Sequence, residues 1–364
     1  MDSINIIPDE AESKELRRYY AKLSLIMIVL VVVFNGVNRL VLYTASGLVG
    51  GGFTKELVSS GRKVIASIPL ASAVYSYFFP LAADVAALCT GLAITKTDLK
   101  KMLRFRGFGG KDLFDFTALS YGMATVGSFI CVFIAAVVAL LMGKNGAVSM
   151  EESLSQFSPT GDPLWLKVLI YLYICLIGPI MEELIFRGVL LEGLRKYGNG
   201  FGIVMSSVMF GLMHQRFIQC VPAILLGMIF AGMVVKTGSL LPSIFAHVVN
   251  NTMSAVMMVM AEGMDMQKFA EIEKMDPANI DIDMAVNLLK GMVPLLIVMG
   301  IILAVRMGSL VIGAVIAVRF HFTRRKLVAD HPYCKNRTWK YLFTSVPWIL
   351  LLLYLTVVTL MTIV

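Results

Sequence analysis

Nine times along the chain, apolar residues run on for about the width of a bilayer before polar residues return. The runs extend from Tyr20 to Tyr43, Ile65 to Ile94, Phe116 to Met142, Leu164 to Leu190, Phe201 to Arg216, Val221 to Val235, Leu240 to Met260, Leu289 to Val318 and Tyr341 to Val364. A hydrocarbon core of about 30 Å is crossed by about 20 helical residues. No backbone polar group can go unpaired there, so each run predicts a helix rather than an open strand. The pattern predicts an all-α, polytopic transmembrane helical bundle of about eight to nine spans, eight if the short fifth and sixth runs form a buried hairpin. It divides into a cytoplasmic N-terminal segment (1–19), an N-terminal transmembrane bundle (20–163), a core (164–262), and a C-terminal loop with transmembrane helices (263–364).

Composition strengthens this reading. The 364 residues are 58% hydrophobic and 15% charged, with mean hydropathy +0.79, whereas soluble domains carry about 25% charged residues. The formal charge of +8 is placed in a way that concerns orientation, not nucleic acid. Arg17, Arg18 and Lys22 precede the first run, Lys100, Lys101, Arg104 and Arg106 follow the second, and Arg324, Arg325, Lys326, Lys335, Arg337 and Lys340 follow the eighth. Acidic residues gather in the opposite loops: Glu151, Glu152 and Asp162, and then Glu262, Asp265, Glu271, Glu273, Asp276, Asp281 and Asp283. The positive-inside rule then puts the N-terminus in the cytoplasm and, with nine spans, the C-terminus outside, in a multi-pass plasma-membrane protein. The first run follows Asp2, Asp9, Glu10 and Glu12 and lacks a small-residue cleavage pattern, so it reads as a retained signal anchor. Five scattered cysteines suggest neither a disulfide framework nor a thiolate metal site. The loops Gly143 to Pro163 and Ala261 to Ala285 read as solvated linkers in preference to lids. No nucleotide-binding pattern is present, and Gly50 to Gly52 read as a turn.

Against this apolar background three polar clusters stand out: Glu182-Glu183 with Arg187, Phe210 with His214, and His247 with Asn251. A carboxylate at a helix centre costs roughly 2.5 to 3.5 kcal/mol on translocon scales, so such groups mark function by default. Glu183 and Arg187, four apart, share a helix face and predict a scaffolding ion pair. Glu182 points elsewhere and has no base three or four residues away, which leaves it as the reactive carboxylate and a candidate general base. Phe210 lies one turn before His214 and should pack beside its imidazole. His247 has Asn251 one turn away, with Asn250 also within reach of the same face. Gly178-Pro179, just before the glutamates, predicts a helix break whose freed carbonyls are tolerated only inside protein or beside a watery cavity. His321 and His331 belong to the basic loop and read as solvated. Ser206, Ser207, Ser239, Ser243 and Ser254 read as helix-packing residues.

Two chemistries suit these residues. Glu182, His214 and His247 together make the two-nitrogen, one-carboxylate ligand set of a catalytic zinc. Without metal, Glu182 deprotonates water, His214 orients it, and His247 with Asn251 donates to the carbonyl oxyanion. Because span counting puts the two histidines toward opposite faces, a shared site requires one of their helices to be short, tilted or re-entrant.

EELIFRG at Glu182 to Gly188, FGLMH at Phe210 to His214 and GSLLPSIFAHVVNN at Gly238 to Asn251 together resemble the three motifs of the CAAX protease and bacteriocin-processing (CPBP, or Abi) family. The resemblance covers mainly Leu164 to Met260. It implies an intramembrane endopeptidase whose catalytic residues are Glu182, His214, His247 and Asn251, supported by Glu183, Arg187 and Phe210. The family is usually classed among metalloproteases, although a glutamate-dependent mechanism without tightly bound metal has been argued for it. The expected activity is metal-dependent hydrolysis, with zinc as the candidate ion, of a peptide bond in a membrane-associated or prenylated protein or peptide by glutamate-activated water. The expected partners are that substrate and the lipid bilayer, with a sensor kinase as a further partner and no nucleic acid. Two rival readings are a non-catalytic scaffold or immunity partner of a sensor kinase or bacteriocin receptor, and a proton-coupled transporter. The second lacks the inverted repeat of broken helices that transporters show.

Overall fold

The computed structural model describes residues 10–47, 74–142, 163–195, 198–262, 282–322 and 342–361, and all regular structure among them is helical. In chain order the helices are α1 (Glu10–Gly47), α2 (Phe79–Thr95, entered through a π-helical turn Val74–Phe78), the short α3 (Leu99–Met102), α4 (Gly110–Met142), α5 (Leu164–Arg195), α6 (Asn199–Met213), α7 (Phe217–Thr237), α8 (Leu241–Glu262), α9 (Ile282–Phe322) and α10 (Val346–Leu360). Stretches of α1, α4, α5, α7 and α9 are long and apolar enough to cross a membrane, and α2, α6 and α10 are shorter apolar helices. Each of the nine apolar runs thus contains a helix, in a polytopic helical membrane protein.

The runs are not equivalent crossings. With 15 residues, α6 reaches about 22 Å at 1.5 Å per residue, short of a hydrocarbon core of about 30 Å. It turns back through His214 to Arg216 into α7, with Gln215 in the left-handed region (φ 51°), and the two helices pack closely along their lengths. The fifth and sixth runs are therefore a short helix and a longer one packed antiparallel, of which α7 alone is long enough to cross. The acidic loops between their flanking helices, the basic segment after α9 with His331, Gly50 to Gly52 and the residues before Glu10 lie outside the described residues, whereas Glu262 ends α8 and Asp283 and His321 belong to α9.

Lipid tails are as apolar as leucine, so helices in a bilayer associate through close packing instead of hydrophobic burial. Small residues make that contact here. A Cβ on Gly127 of α4 would sit 2.5 Å from Pro222 Cα of α7, and one on Gly91 of α2 would sit 2.5 Å from Val189 Cγ2 of α5. The largest core cluster joins Tyr20, Leu23 and Met27 of α1, Ile185 and Val189 of α5, Phe210 of α6 and Trp348 of α10. Trp348 Nε1 donates to the Tyr20 carbonyl at 2.6 Å, fastening the last described helix to the first. In this framework α5 packs against α2, α6 and α8, which brings all three polar clusters inward.

Candidate active site

The centre of α5 is unusual in its winding. π-helical stretches at Tyr173–Ile177 and Leu184–Leu190 flank the α-helical segment Gly178–Glu183 that carries both glutamates. Single π turns within α-helices frequently mark functional sites. The break predicted at Gly178-Pro179 is absorbed without interrupting the helix. Gly178 N–H donates five residues back, to Tyr173 O, and the chain continues helically through Pro179.

Glu183 and Arg187 are fully buried, and Arg187 Nη1 stands 2.9 Å from Glu183 Oε1. The guanidinium also lies over aromatic faces, 4.3 Å from the Phe210 centroid and 5.3 Å from that of Phe230. Gly227 of α7 makes room for it, since a Cβ there would meet Arg187 Nη2 at 3.0 Å. The expected ion pair is present, and it has a partner that residue spacing did not suggest. His247 Nδ1 lies 3.1 Å from the same Glu183 Oε1. A carboxylate paired with arginine can only accept, so His247 carries its proton on Nδ1. Its Nε2 consequently faces the second glutamate, with Glu182 Oε2 at 3.4 Å.

Glu182 is the open member, with its side chain 31% exposed against 0% for Glu183 and 3% for His247. Glu182 is thus open to its surroundings, while Glu183 is sealed against His247 and Arg187.

The second histidine is placed by Phe210. The Phe210 ring meets the rings of both His214 and His247 edge-on, at centroid distances of 5.1 and 5.6 Å. His214 Nδ1 lies 2.9 Å from Phe210 O. A carbonyl only accepts, so His214 too is protonated on Nδ1, and its Nε2 is an acceptor when the ring is neutral. His214 stands directly after the last residue of the short α6. Asn251 of α8 is turned to α5, its Nδ2 donating to Ile174 O at 3.0 Å, while Asn250 Nδ2 is 3.5 Å from Asn251 Oδ1.

Among the described residues, no three His, Cys, Asp or Glu side chains form a group able to hold a metal ion. Glu182, His214 and His247, the expected zinc set, are not gathered into such a group; each histidine is held through Nδ1, by Glu183 or by Phe210 O, and so keeps Nε2 for another partner. The five candidate packing serines, Ser206, Ser207, Ser239, Ser243 and Ser254, each donate to a backbone carbonyl.

Three residues at the site were not singled out from the sequence. Phe230 stacks at 5.0 Å on His247. Tyr173 donates its hydroxyl to Asp84 Oδ2 at 3.4 Å, and both residues lie within electrostatic reach of Glu182. Asp84 carried a readable signal, an acid isolated in the apolar run Ile65 to Ile94. Tyr173 and Phe230 carried none, being aromatic residues in apolar helices.

Two glutamates, two histidines and an arginine thus meet on packed helices, and the segment that carries them is similar to known membrane peptidases. Residues 163–253 match the family described as "Type II CAAX prenyl endopeptidase Rce1-like". Through this segment the chain is similar to the Rce1-like (CPBP) family. It is also 29% identical over 175 residues to the "Putative membrane peptidase YdiL" of Bacillus subtilis (strain 168), an alignment covering 48% of this chain and 68% of that one. No solved structure matches the chain.

Proposed function

We propose that the chain is an intramembrane endopeptidase that hydrolyses a peptide bond of a membrane-associated or prenylated protein or peptide, with Glu182 as the general base. The observation that carries this reading is the 3.4 Å contact between half-open Glu182 and His247, itself held by buried Glu183. Glu182 takes a proton from water as the water oxygen bonds to the scissile carbonyl carbon. His214 orients that water by accepting its other hydrogen at Nε2. The carbonyl oxygen gathers negative charge opposite the His247 imidazolium, and collapse of the intermediate breaks the C–N bond as Glu182 returns its proton to the leaving amine. Each proton taken is given back, so the glutamate is regenerated. The basic clusters beside α1 and α2 support a cytoplasmic N-terminus in the plasma membrane.

The test uses the purified chain in lipid vesicles with a farnesylated peptide ending in a CAAX sequence and its unfarnesylated counterpart. Cleavage of the farnesylated peptide by wild type, and none by Glu182→Gln, is expected. Equal cleavage by both proteins would refute the assignment of the base.

A further inference from the structure

Every backbone carbonyl of a helix in hydrocarbon must find a donor, and one carbonyl of α5 cannot find it within its own helix. In an α-helix Ile174 O would accept from Gly178 N–H, but that donor is committed to Tyr173 O. In the π register the next donor would be the N–H of residue 179, which is proline and has none. Ile174 O is therefore orphaned by the combination of π turn and proline. The group that reaches it is Asn251 Nδ2, at 3.0 Å, from α8. The orientation of the amide is fixed by chemistry, because a carbonyl oxygen can face only the NH2 end.

We propose that Asn251 is a positioning residue. It supplies the hydrogen bond that Pro179 denies to Ile174 and thereby ties the helix carrying His247 to the helix carrying Glu182. The bond lies one helical turn from His247 on α8, and two turns before Glu182 on α5. On its other side the same π turn is held by Tyr173, whose hydroxyl donates to Asp84 of α2. The tie thus sets the lateral registry in which Glu182 stands 3.4 Å from His247. The tie uses one of the two Nδ2 hydrogens, and it is a separate role from that of an oxyanion donor. The catalytic consequence rests on the peptidase reading, but the tie itself does not, and neither of the following measurements needs turnover.

The first is a thermal-denaturation cycle in detergent with Asn251→Leu, Pro179→Ala and the double variant. Alanine at 179 restores a backbone N–H for Ile174 O. Asn251→Leu should lower the midpoint by several degrees beside Pro179 and by far less beside Pro179→Ala. If Asn251→Leu alone does not accumulate folded protein, recovery of folded protein in the double variant is the same supporting result. The second measures disulfide formation between Glu182→Cys and His247→Cys, with the native cysteines replaced by serine. Adding Asn251→Leu should slow it several-fold. An equal fall in midpoint in both backgrounds, or an unchanged cross-linking rate, would overturn the proposal. If turnover alone fell, with midpoint and cross-linking unmoved, Asn251 would instead be a donor to the reacting carbonyl.

Discussion

Replacing Arg187 with methionine removes one charge from a pair in which both side chains have no exposed surface. Methionine keeps much of the volume, so the effect should be electrostatic more than steric. Glu183 would be left ionised and sealed, with only His247 Nδ1 against it, and breaking a buried pair from one side typically costs about 3 to 5 kcal/mol. Loss of the guanidinium from the Phe210 face, 4.3 Å away, adds up to about 2 kcal/mol for a desolvated cation–π contact. Against a total stability of about 5 to 15 kcal/mol, Arg187→Met should therefore bring the protein close to unfolding. Glu183→Gln with Arg187→Met should be less severe than Arg187→Met alone, because the neutral amide oxygen still accepts from His247 and leaves no buried charge. A double-mutant cycle in mixed-micelle equilibrium unfolding should give a coupling of at least about 2 kcal/mol. A loss below about 1 kcal/mol for Arg187→Met, or strict additivity, would refute this account of the pair.

Phe210→Ala removes the ring that contacts Phe186, Arg187, His214 and His247, and should cost about 3 to 5 kcal/mol in unfolding experiments. It should also lower turnover more than Phe210→Leu does, since leucine refills part of the space between the histidines. Outside the membrane, Asp98 caps α3, and the backbone N–H of Lys101, with the Lys101 ammonium behind it, holds its carboxyl below the ordinary range. A depressed folded-state pKa contributes stability above the unfolded value and loses it as pH falls. Asp98→Ala should therefore lower the thermal midpoint slightly at pH 7, and the difference from wild type should shrink as pH falls through the depressed pKa of the folded-state carboxyl.

The polar clusters were readable because hydrocarbon makes every charge conspicuous: Glu182, Glu183, Arg187, His214 and His247 stand out from apolar neighbours before any fold is known. Residue spacing also anticipated the Glu183–Arg187 pair and the packing of Phe210 on His214, both contacts within a single helix turn. Contacts between helices were not legible. Nothing in the spacing of α5 announces that Glu183 also holds a histidine of α8, or that Asp84 of α2 approaches Glu182. Gly178-Pro179 read as a break because local signals count only local donors. The missing donor comes from Asn251, 77 positions away from Ile174. Whether two histidines and an acid meet as a ligand group likewise depends on contacts between helices, and among the described residues Glu182, His214 and His247 do not form one.

The central claim is that Glu182 performs proteolysis. It is tested most directly by comparing peptide termini in membranes and medium from cells making wild type or Glu182→Ala at matched abundance. The account predicts new termini with wild type that vanish with Glu182→Ala, while the variant still inserts and folds. Identical termini from both, with any phenotype of the wild-type chain intact in the variant, would contradict it and point to a binding role.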